Sequence, residues 1–153
     1  MQPPKKHQRM EAFVRDLDAN PGSAYDSCYQ GYFACFNDRR YYEAHDVLEH
    51  LWLQGTTENH SFFKGLIQLA GAFVHLKLQR ENPDHPKHGR RLHPAARLFR
   101  LAETNLSGYR PHHMGLDVTN VCSLCERTAQ EIVAGNFVFN PWTPETAPQL
   151  HLD

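Results

Sequence analysis

No stretch of this sequence stays apolar for the roughly 20 residues that a membrane-spanning helix needs. The most apolar run, GLIQLAGAFVHLKL from Gly65 to Leu78, already carries Gln68, His75 and Lys77. It reads as a buried helix. An excess of charge is missing too: 16 Lys and Arg against 17 Asp and Glu leave a formal net charge of -1. No global field therefore draws the chain to nucleic acid or lipid, and any such attraction must be local. The opening MQPPKKHQRMEAF has no apolar core of signal-peptide length. Cysteine is scarce, at four residues in 153, too few for a disulfide scaffold in a chain of this size. Reduced thiols in a cytoplasmic protein are the expectation. Also missing are a nucleophile motif, a phosphate loop, a dinucleotide fingerprint and an internal repeat. Nothing here presses for an enzyme.

What is present suits one domain with a substantial core, at 41% apolar and 22% charged residues. Helical spacing runs from Lys5 to Ala19, then from Ala24 to Phe36, with Tyr25, Cys28, Tyr32, Cys35 and Phe36 on one side. The short polar turn NDRR should fold the next helix, Tyr41 to Gln54, back as an antiparallel hairpin. After GTTENHS, with Ser61 as an N-cap, the helix from Phe62 to Arg80 is apolar almost all round. Its polar side is one narrow stripe: Lys64, Gln68, His75 and Gln79, with Gly71 between them. Such a helix belongs at the centre of a bundle. Pro94 fits the first position of a helix that stops near Ser107 and Gly108, GYRPHHMGLD is a linker, and Asp117 caps a last helix ending at Gly135.

The expected fold is all-α: a compact bundle of five to six helices with antiparallel hairpins. A single helical domain spans residues 1–135, and a Pro-rich extended arm follows over 136–153. Phe137, Phe139 and Trp142 are too apolar to sit in water together. The arm should dock on the bundle or on a second copy, which leaves a homo-oligomer open.

YYEAHDVLEHLW, Tyr41 to Trp52, carries the first candidate chemistry. At about 100° per residue, Val47, Leu51, Ala44, Leu48, Tyr41 and Trp52 form an apolar arc that His45 and Glu49 continue. Glu43, Asp46 and His50 fall on the opposite, solvated side. One imidazole and one carboxylate, spaced i,i+4, thus lie where burial is expected. With Gln68 and His75 of the central helix they make a cluster: His45, Glu49, Trp52, Gln68 and His75.

Three stretches stand out together: Glu43-Ala44-His45-x-x-x-Glu49-x-x-Trp52; Lys64-Gly65-Leu66-Ile67-Gln68-Leu69-Ala70 followed by His75-Leu76; and Ala95-Ala96-Arg97-Leu98 with Gly115-Leu116-Asp117. In combination they resemble the prokaryotic family called domain of unknown function 309. The resemblance covers roughly Phe36 to Asp117 and implies a compact helical bundle in a small bacterial or archaeal protein. It implies no activity. The turn before Tyr41 lacks the family's usual Gly, residues 83–93 read as an insertion, and the arm after Gly135 is longer than the pattern requires.

Three readings of the cluster stay open. The foremost is a buried polar network in which Glu49 accepts from His45, Gln68 or the Trp52 indole. The others are a small-molecule or acid–base pocket, and a single divalent metal, zinc or iron, held by His45, Glu49 and His75. The last lacks the two Glu-x-x-His pairs of di-metal bundles. A second class of function is an interaction module acting through the C-terminal arm or the basic segment over 85–100. That segment carries Lys87, Arg90, Arg91, Arg97 and Arg100 and suits RNA, phosphate or an acidic partner. It lacks the aromatic interleaving that stacks bases, and a solvated loop is the simpler account. Two loop imidazoles, His85 and His88, bind a metal only loosely without a third ligand. Cys122-x-x-Cys125 falls inside a helical stretch, where packing explains small thiols better than redox or zinc chemistry, even with His112 and His113 nearby.

Overall fold

The computed structural model describes residues 26–55 and 58–153. The first helical stretch of the sequence, Lys5 to Ala19, lies outside them. Five helices follow in the described residues: α1 (Ser27–Asn37), α2 (Tyr41–Leu53), α3 (His60–Glu81), α4 (Leu92–Leu106) and α5 (Val118–Ala134). Each packs on the next, so α3 lies between α2 and α4, and α5 rests on α4. None is long and apolar enough to cross a membrane. The fold is an all-α bundle.

Local chemistry sets the helix ends. Asp26 caps α1 by accepting from the Cys28 amide at 2.7 Å, and Asp117 caps α5 by accepting from Asn120 N at 3.0 Å. Ser61, the cap expected of α3, lies inside that helix. The N-cap position falls to Asn59, whose side chain makes no cap bond. Its Oδ1 is taken instead by His113 Nε2 at 2.7 Å. Pro94 sits third in α4 rather than first, a position whose backbone nitrogen still has no acceptor to miss. The linker expected over GYRPHHMGLD is more ordered than a linker. A 3-10 turn (Ser107–Tyr109) leads to a hairpin of β1 (His112–His113) on β2 (Leu116–Asp117). Met114 and Gly115 join them at φ 48° and 76°, the paired left-handed geometry of a tight hairpin turn.

The core is an aromatic chain. Phe73 of α3 meets Phe36 of α1, Tyr41 of α2 and Phe99 of α4 at ring-centroid distances of 5.3, 5.2 and 5.2 Å. Gly65 lets α4 come close: a Cβ there would lie 2.7 Å from Leu106 Cγ and 3.2 Å from the Ala102 carbonyl oxygen. After Gly135, Asn136 and Phe137 take left-handed φ of 55° and 59° and turn the chain back along the bundle. Trp142 and Leu150 are buried in this arm. Trp142 Nε1 donates to Tyr41 Oη at 3.0 Å, and Asn37 clamps Leu150 by pairing with both its carbonyl and its amide. Phe139 departs from expectation. It stays 63% exposed, while Trp142 and Leu150 are buried.

Candidate functional site

The polar stripe of α3 divides its attention between two neighbours, and Gly71 marks the crossing. A Cβ there would lie 3.3 Å from Leu98 Cδ1 of α4 and 3.9 Å from His45 Cδ2 of α2. Only a small residue lets both helices lie across α3 at this level.

On the α4 side every stripe residue named as a candidate is already engaged. Asn105 Nδ2 donates to Gln68 Oε1 at 2.7 Å. Gln79 Oε1 accepts from the Arg91 amide at 2.8 Å and so caps the start of α4 from a different helix. Arg91 Nη1 lies 2.9 Å from His75 Nδ1, and its Nε donates to His88 Nδ1 at 3.0 Å. A guanidinium has no acceptor. His75 and His88 must therefore present bare Nδ1 atoms, which fixes both as neutral rings with the proton on Nε2. Burial, then Arg91 and Arg97, lower the His75 pKa to match. His88 is lowered too, by desolvation and then by the charges of Arg91, His85 and Lys87.

On the α2 side the arrangement is looser. His45 Nδ1 lies 3.1 Å from Asp46 Oδ1, and its Nε2 lies 3.7 Å from Glu49 Oε2. The ring is thus flanked by a carboxylate at each nitrogen. Two burial expectations change here. His45 and Glu49 are half-buried, with side chains 30% and 32% exposed, whereas Asp46, expected in solvent, is buried. The helix itself faces as expected, with Tyr41, Ala44, Val47 and Leu48 buried and Tyr42 and Leu53 exposed, so Asp46 is covered on the polar side of its own helix. Trp52 packs at a tilt against His60, with 5.0 Å between centroids. Its Nε1 is buried and has no hydrogen-bond partner among the described residues.

Among the described residues no group of three His, Cys, Asp or Glu side chains is gathered to hold a metal ion, and His45, Glu49 and His75 are no exception. His75 has its Nδ1 on Arg91 instead. Of the basic segment, Lys87, Arg90, Arg97 and Arg100 are exposed, while Arg91 is the half-buried hub of the histidine contacts. Cys122 and Cys125 are free and buried in α5, and burial pushes the Cys125 thiol far up. Such thiols pack; they do not attack.

Sequence reasoning missed Arg91 and Asn105 as partners. Both belong to α4 or its margin, where no periodicity points at α3. Residues 29–85 match the family described as Domain of unknown function (DUF309). The DUF309 match begins before Phe36 and holds both leading motifs, but it ends before Ala95–Leu98 and Gly115–Asp117. Arg91 and Asn105 lie beyond it as well. No curated protein and no solved structure matches the chain.

Proposed function

We propose that this protein is a helical binding module that takes a small polar ligand on the α2 side of the cluster, at His45, Glu49 and Trp52. One observation carries the reading: the buried Trp52 Nε1 without an acceptor among the described residues. A buried donor left unpaired costs about 1–3 kcal/mol, and an incoming carbonyl or carboxylate oxygen would recover that cost. Trp52 lies three residues after Glu49 and seven after His45, so the three share a helix face. Half-exposed Glu49 offers an acceptor to a ligand's own donor. Asp46 fixes the orientation of His45 beside it. A ligand carrying both a donor and an oxygen acceptor, such as an amide or an amino acid, suits this set. Gln68 and His75 serve the fold, since α4 occupies them. A cytoplasmic location belongs to the same proposal and is supported by four free cysteines.

Native mass spectrometry of protein purified without an affinity tag tests this, because it reports a co-purifying organic ligand and a metal alike. The expected result is an added organic mass, or binding in a screen of polar metabolites, that Trp52→Phe loses while remaining folded. Equal binding by parent and variant would sink the assignment.

A further inference from the structure

A second surface stands apart from His45, Glu49 and Trp52. Of the six large apolar side chains exposed among the described residues, four are Leu101, Val133, Val138 and Phe139. Leu101 of α4 and Val133 of α5 line a groove of about 350 Å³ whose wall is completed by Phe137. Val138 and Phe139 follow Phe137 in the chain and are 80% and 63% exposed. Phe137 holds a left-handed φ of 59°, which is costly for a bulky residue. Its ring is stacked on His93 at 3.7 Å and 10°, so this apolar wall is fixed in place. Clustering of this kind marks an interaction surface, whereas apolar residues scattered singly do not.

The charge at the groove has one sign. Arg97 and Arg100 both line it, and no carboxylate does. Their guanidinium groups are exposed and make no hydrogen bond or ion pair with the described residues. Arg91, by contrast, is committed to His75 and His88. Along α4 the lining runs from His93 to Thr104, about 17 Å at 1.5 Å per residue, or roughly three helical turns. We propose that this groove between α4 and α5 docks an acidic amphipathic helix of a partner protein. The apolar stripe of that helix covers Leu101, Val133 and Phe137, and its flanking carboxylates meet Arg97 and Arg100. Nucleic acid fits less well, because the two rings that line the groove, His93 and Phe137, are stacked on each other rather than set out over the cations for bases.

The test is a display library of helical peptides with an apolar stripe fixed at i, i+3, i+4 and i+7 and flanks varied among Glu, Gln and Lys. On the whole chain, selection should enrich Glu at the flanks. A selected peptide should bind the double variant Arg97→Glu/Arg100→Glu about tenfold more weakly. Both positions are on the surface, so the variant's helical spectrum and melting temperature should match the parent's. Neutral or Lys-rich winners, no enrichment, or equal binding to parent and variant would overturn the proposal. So would a concentration-dependent dimer that Val133→Asp converts to monomer, since the occupant would then be a second copy.

Discussion

The two tryptophans of this protein sit in opposite situations. Trp142, in the arm, is 4% exposed, and its indole N–H donates to Tyr41 Oη at 3.0 Å. Trp52, on α2, is half-buried, and its indole N–H reaches no acceptor among the described residues. The same side chain thus completes a network in one place and leaves one incomplete in the other. A satisfied indole is a structural anchor. An unsatisfied one is tolerated only where something else offsets its cost, and ligand binding is the offset proposed for Trp52. Along α3, by comparison, Gln68, His75 and Gln79 all find partners on the α4 side.

The largest effect should come from the anchor. Trp142→Ala removes a buried aromatic that joins the arm to Tyr41 and should cost about 3–5 kcal/mol in urea-induced unfolding. Trp142→Phe keeps most of the volume but strips Tyr41 Oη of its donor. It should cost about 1–3 kcal/mol. Burial raises the Tyr41 pKa and the Trp142 hydrogen bond lowers it, so Trp142→Phe should also raise it further in a spectrophotometric titration. If either variant matched the parent in stability, the arm would be a passenger and the contrast between the tryptophans would lose one side.

How far the sequence foretold this contrast depends on distance along the chain. The helix pattern and the central place of α3 were readable, because the spacing of Phe62, Leu66, Leu69 and Phe73 reports local geometry. His45, Glu49 and Trp52 were placed on one face for the same reason. The burial of Asp46 was not, because the helix wheel sets it on the polar side, between Tyr42 and His50, and what covers it there is tertiary rather than local. Nor were the pairs Arg91–His75, Asn105–Gln68 and Trp142–Tyr41, which lie 16, 37 and 101 residues apart. Periodicity says which way a side chain points, and tertiary packing decides what it meets. The hairpin at Met114-Gly115 left a faint signal in its glycine, but β-strands of two residues show no alternation to read.

The satisfied side of α3 makes its own prediction with pH. Burial first, then Arg91 and Arg97, hold the folded His75 pKa below its ordinary value of 6.5. As pH falls, the unfolded chain therefore takes up this proton before the folded chain does, and stability declines. The stabilisation is fully present above pH 6.5 and is lost as pH falls through the folded value. Arg91→Met removes one of the charges that oppose protonation. The His75 ring should then titrate at higher pH by NMR, and the acid-side decline in stability should become shallower. An unchanged His75 titration in that variant would mean that burial and Arg97 set the shift and that Arg91 does not organise this side.

The smallest expected effect on stability belongs to the other tryptophan, and it is the most informative. Trp52→Phe loses some ring volume, which destabilises, and deletes a buried donor that has no acceptor among the described residues, which stabilises. Each contribution is on the order of 1 kcal/mol, so the melting temperature should move little in either direction. Trp142→Phe, an identical chemical change, should be clearly destabilising, because there the deleted donor had a partner. Glu49→Gln gives an independent reading of the same face. The amide keeps an acceptor for any structural neighbour and should leave folding almost intact. It removes the negative charge that a ligand's cationic or N–H group would meet, so ligand affinity should fall. A loss of stability in Trp52→Phe as large as in Trp142→Phe would show that Trp52 has an acceptor in the native protein after all, and the two indoles would then be doing the same job.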